Sequence, residues 1–209
     1  MKKKILDIIA VSSIISGVFI TVCDYLVQMR STETEQFVSR LLVLDGVSIT
    51  LSSYVCIFAF PFWIIGLYLV YLTMYKVNRA MAMICSGVIA YSMIMMTFFH
   101  YCYALIYNIG NADIIGSEWE PVVSTLTPFF PFMFILLPLG WILVGLCNLS
   151  SKAVVSRWTI LLNPVVLMVI SSVMAWLSPS FFRKMQPCMF SLGITSYYFI
   201  CWFFIRKKI

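Results

Sequence analysis

Apolar residues fill six long stretches of this chain, and most polar and charged residues sit in the short segments between them. The stretches are Ile5–Met29, Ser52–Met74, Ala80–Tyr107, Thr125–Cys147, Trp158–Leu177 and Pro187–Ile205. At a rise of about 1.5 Å per residue, each is long enough to cross a hydrocarbon layer of about 30 Å. Backbone groups inside lipid must be satisfied internally, so such runs fold as helices. A transmembrane barrel would instead alternate polar and apolar residues in short segments. The pattern predicts an all-α, polytopic membrane bundle of six transmembrane helices with short loops, forming a single domain over residues 1–209. Thr125–Cys147 is the weakest span, because Pro128, Pro131 and Pro138 fall inside it. The alternative topology turns one span into a re-entrant or interfacial segment.

The links differ in character. Between Arg30 and Leu51, apolar residues recur at three- and four-residue steps among Glu33, Glu35, Arg40 and Asp45, as in a helix lying in the membrane interface. Asn108–Ser124 is the most polar link, with Asp113, Glu118 and Glu120, and with Trp119 as an interface anchor. Tyr75–Arg79 and Asn148–Arg157 are short, and no Gly-rich phosphate loop occurs, so no cofactor is expected.

Composition agrees with lipid as the solvent: 62% of the residues are hydrophobic and 11% charged, with a mean hydropathy of +1.00. The net charge of +6 reads as a topology signal. With the N-terminus inside, ten basic residues are cytoplasmic: Lys2, Lys3, Lys4, Lys76, Arg79, Lys152, Arg157, Arg206, Lys207 and Lys208. Four are outside: Arg30, Arg40, Arg183 and Lys184. This asymmetry places both termini in the cytoplasm of a plasma membrane, here of the bacterial cytoplasmic type. The basic groups flank apolar spans beside anionic lipid and give no reason to expect nucleic acid as a partner. The first span reads as an uncleaved signal-anchor. Ile20-Thr21-Val22-Cys23 only faintly resembles a lipoprotein cleavage box, since Val22 stands where a small residue belongs.

Seven cysteines without a CxxC pair, mostly within apolar runs, read as small hydrophobes. With one histidine in the chain and no Cys/His spacing suited to ligation, no metal is expected. Ionisable residues inside spans carry more weight. Asp7 follows the N-terminal lysines and suits the dipole of the first helix. Ser13, Gly17, Thr21 and Asp24 recur at steps of four, four and three, so they share one small-residue face that turns Asp24 into the bundle. His100 lies roughly 10 Å below the outer end of the third span, and Asp24 roughly 7–8 Å below the outer end of the first. The only histidine and the most buried acid are therefore expected at one depth. There they form either an acid–base pair or a polar pair that fixes helix packing. Tyr25, Tyr103 and Tyr107 complete the candidate ligand-binding set, and each is equally readable as an interface anchor. Asn163-Pro164 marks a helix break in the cytoplasmic half and a second polar cluster to consider.

Three functions fit. One is binding or transport of a small amphipathic or lipid-like molecule through an outer-half polar pocket. Another is an intramembrane acid–base enzyme, of isomerase or hydrolase type, acting through Asp24 and His100. The chain contains neither a GxSG-like serine motif nor HExxH, which disfavours serine or metal hydrolysis. The last is an accessory subunit, or a homo-oligomer, packed against a membrane partner.

Overall fold

A computed structural model of the chain describes residues 3–29, 46–111, 128 and 132–208. Among them the regular structure is helical: α1 (Lys3–Met29), α2 (Gly46–Ile65), α3 (Leu67–Met74) and α4 (Arg79–Asn111). A π-helical turn (Phe132–Leu136) then leads into α5 (Leu137–Asn148), and a 3₁₀ segment (Arg157–Leu162) precedes α6 (Pro164–Leu177) and α7 (Pro179–Lys208). Among the described residues, four stretches are long and apolar enough to cross a membrane: Lys3–Leu26, Ile49–Met74, Arg79–Cys102 and Cys188–Lys208. Phe134–Asn148 and Pro164–Leu177 are apolar but shorter. Phe58, Leu161 and Trp176 are more than half exposed, as are many other large apolar side chains. Such an exterior suits lipid and would be a liability in water.

The expected spans beginning at Ile5, Ser52, Ala80 and Pro187 fall within α1, α2–α3, α4 and α7. The other two expected spans are built less regularly. Trp158–Leu177 is not one helix. Asn163 is extended (φ −61°, ψ 134°), as the residue before a proline prefers to be. Its side-chain oxygen accepts from the Val165 N–H at 3.0 Å, and Pro164 takes the first helical position. Asn163-Pro164 therefore starts α6 rather than kinking a longer helix. The Asn163 side-chain amide also donates to the Trp141 carbonyl of α5 at 2.8 Å. In Thr125–Cys147 the described helix begins at Phe132, and Thr125 and Pro131 lie outside the described residues. Pro138 has no N–H for the turn before it, and that turn widens to π geometry.

α1 packs between α2 and α7. Along this seam, Asp7 meets Trp202, Gly17 meets Thr195, and Asp24 stands by Ser191. Residue numbers rise on α1 as they fall on α7, so the two helices are antiparallel. Glycine makes the seam close. A methyl group on Gly17 would come within 2.6 Å of Trp63 Nε1 and 2.9 Å of Thr195 Cγ2. At Gly66, between α2 and α3, it would come within 2.6 Å of the Tyr198 ring and 2.7 Å of Ser13 Cβ.

At one end of the seam, the Trp202 indole donates to the Asp7 carboxylate at 2.7 Å, and Arg206 Nη2 lies 3.4 Å from the second oxygen. The Arg206 guanidinium also covers the Trp202 ring at 5.3 Å. Asp7, expected to complement the dipole of α1, instead reaches across to α7, and the first turn of α1 holds no acid. The start of α1 and the end of α7 thus lie at the same end of the bundle.

Gly17→Ala is expected to destabilise the protein by roughly 1–3 kcal/mol, because the seam has no room for a methyl group. Gly87 has nothing within 4 Å of an added Cβ. Gly87→Ala should therefore leave stability unchanged or raise it by roughly 0.4–1 kcal/mol. Thermal melts in one detergent check both, and equal effects would contradict this packing.

Candidate functional site

The face of α1 formed by Ser13, Gly17, Thr21 and Asp24 turns inward. Ser13 and Gly17 are buried, and Thr21 returns its hydroxyl to the Gly17 carbonyl at 2.8 Å. The same face carries Asp24 toward α4, where His100 Nε2 lies 3.5 Å from Asp24 Oδ1. Both side chains are nearly buried, at 12% and 9% exposure. The residues matched in depth from the sequence are thus in contact. They meet because α1 and α4 run in the same direction and α2 brackets both.

Other groups close around the pair. The Phe60 ring of α2 lies 5.6 Å from the imidazole. Ser191 of α7 stands beside the carboxylate and gives its hydroxyl proton to the Cys188 carbonyl at 3.0 Å. Tyr25, next along α1, projects about 100° round the helix from Asp24 and is half-buried. Tyr103 and Tyr107 lie on α4, but their side chains are outside the described residues, as are Glu118, Trp119 and Glu120. Phe60, Cys188 and Ser191 were not anticipated from the sequence. Ser191, Thr195, Tyr198 and Trp202 recur at steps of four, three and four, a polar edge within the last apolar run that marks the α1-facing side of α7.

At the same level of the bundle, a groove of about 640 Å³ opens on the outside of α2 and α4. Ile57, Pro61, Thr97 and Tyr101 line it, together with neighbouring apolar side chains. Thr97 and Tyr101 bracket His100 on α4, and Pro61 follows Phe60 on α2.

A carboxyl and an imidazole in ion-pair range can share, accept or release a proton, and together they can bind a polar head group. Placing both inside an apolar bundle is costly unless they are paired. Among the described residues no three His, Cys, Asp or Glu side chains are grouped to hold a metal ion.

The bundle, helical among the described residues and with four stretches there suited to crossing a membrane, fits the class of α-helical membrane proteins. Residues 1–208 match a family described as Family of unknown function (DUF6796), and the chain belongs to that family. No curated protein and no solved structure matches the chain.

Removing either partner leaves the other buried and alone. Asp24→Leu and His100→Leu should each lower the melting temperature, while the double variant loses less than the sum, by roughly 0.5–3 kcal/mol. Additive losses would show that the two side chains do not interact.

Proposed function

We propose that this is a plasma-membrane protein with six spans and both ends cytoplasmic. In this reading it binds or transports a small amphipathic or lipid-like molecule at a polar site in its outer half. The contact of Asp24 with His100 inside an apolar bundle carries the reading. A polar pair at that depth offers a head group its partners, and the nearby 640 Å³ groove offers apolar surface at the same level. Asp113, Glu118 and Glu120 in the polar link would favour a cationic head group.

Support for the topology comes from two sides. The Asp7–Arg206 ion pair brings the start of α1 and the end of α7 together, as an even number of crossings requires. Lys3, Lys76, Arg79, Lys152, Arg206 and Lys207 belong to the same end, which suits a cytoplasmic face. With six crossings, the 3₁₀ segment and α6 together make the fifth, because the 14 residues of α6 rise only about 21 Å.

A second reading rests on the same contact. An intramembrane acid–base enzyme needs a proton donor and acceptor within reach of one substrate, and Asp24 and His100 meet that geometric requirement.

Native mass spectrometry of protein released from its own membrane tests the binding reading. A defined amphipathic species should accompany the wild-type chain and fall at least tenfold in Asp24→Asn and His100→Ala. A wild-type protein that carries no such species, or variants that carry it equally, would contradict a site at this pair.

A further inference from the structure

At the end of the bundle away from Asp24 and His100, a groove of about 740 Å³ opens on the outside of α3 and α4. Tyr68 and Tyr71 of α3 line it from one side and Met83, Gly87 and Ala90 of α4 from the other, and Ile9 of α1 also reaches it. Gly87 makes the room, since nothing lies within 4 Å of a Cβ added there. The groove is separate from the Asp24–His100 pair, so what it binds is independent of the ligand proposed above.

Its open end is basic. Arg79, Met83, Gly87 and Ala90 recur at steps of four, four and three, so Arg79, the first residue of α4, stands on the face that lines the groove. Asn78 fixes that start by accepting from the Met81 N–H at 3.0 Å. A ladder of rings leads from the groove to the cation. Tyr68 and Tyr71 stack at 6.1 Å, Tyr71 meets Tyr75 at 5.5 Å, and the Arg79 guanidinium lies over the Tyr75 ring at 5.8 Å. Lys76, in the turn between α3 and α4, adds a second exposed positive charge. The acids among the described residues are Asp7 and Asp24, and these face Arg206 and His100, so the mouth of the groove keeps its charge.

The depth of the groove identifies the kind of occupant. From Arg79 to Ala90, α4 rises about 16 Å. That is close to half of a hydrocarbon layer of about 30 Å, the span of one leaflet. A lipid tail whose head group sits at Arg79 ends where the groove does. A second copy of this chain would enter the membrane in the same orientation and set its own Lys76 and Arg79 at this level, where like charges repel.

We propose that the groove holds one acyl chain of an anionic glycerophospholipid, with the lipid phosphate against Arg79 and Lys76. The guanidinium offers a planar fork of donors that suits phosphate oxygens. Tyr75 holds it at the mouth, and the open space at Gly87 takes the chain.

The test uses the full chain in nanodiscs made from equal amounts of phosphatidylglycerol and phosphatidylcholine, released into native mass spectrometry. One phosphatidylglycerol per chain is expected, retained at least about fivefold over phosphatidylcholine, and Arg79→Gln should bring the two lipids to within about twofold. Gly87→Leu, which fills the groove from open space, should lower phosphatidylglycerol retention at least about fivefold with the melting temperature in detergent unchanged. In the wild type, a phosphatidylglycerol carrying a diazirine at its chain end should label peptides holding Ile64–Leu67 or Gly87–Ala90. Labelling confined to other peptides overturns the site without reference to any variant. A preference lost in Arg79→Gln but kept in Gly87→Leu puts the lipid on the basic surface and overturns the groove. Equal retention of the two lipids by the wild type, or a dimer that carries neither, overturns the proposal.

Discussion

The close approach of α1 to its neighbours at Gly17 holds the rest of the structure in place. A side chain there would collide with Thr195 of α7 and Trp63 of α2. Lipid tails are as apolar as the helix surfaces, so burial alone gives membrane helices little reason to associate, and close packing must supply it. From this contact the two helices run antiparallel in register. At one end the register delivers Asp7 to Trp202 and Arg206, and at the other it delivers Asp24 to Ser191 and His100.

The two ends of α1 differ in character. The Asp7 cluster is partly open, its ion pair 29% and 47% exposed, and pairs of that kind contribute little beyond roughly 1 kcal/mol. Its role is to hold α1 and α7 in register at the bundle surface. The Asp24–His100 pair is nearly buried, and there the cost of dehydrating two ionisable groups works against stability. Apolar side chains of similar size would pack as well at lower cost. That imbalance is why the proposed function is placed at Asp24 and His100 rather than at Asp7.

Much of this could be read from the residues. Apolar run lengths located α1, α2–α3, α4 and α7, because lipid leaves the backbone few alternatives. The steps of four, four and three from Ser13 to Asp24 correctly turned that face inward, and counting along two helices brought Asp24 and His100 to one depth. Depth does not reveal which helices touch, however, so Ser191, Cys188 and Phe60 emerged only from the packing. Asn163 shows a different limit. A proline in an apolar run signals a break, but whether the break kinks a helix or begins one depends on where the preceding side chain finds its partner. Here Asn163 caps Val165 and bonds to Trp141, and the helix begins. Asp7 was misassigned because a carboxylate near a helix start satisfies the dipole argument equally well until a partner from α7 is known.

The chain has a single histidine, so its two imidazole nitrogen resonances are assigned without ambiguity. The most direct measurement is the ¹⁵N spectrum of histidine-labelled protein in nanodiscs, compared between the wild type and Asp24→Asn at one pH. If the carboxylate touches His100 inside the bundle, the ring nitrogen resonances move on substitution while the backbone spectrum stays that of the folded protein. Superimposable ring resonances in the two proteins would contradict the contact, and with it the site built on it.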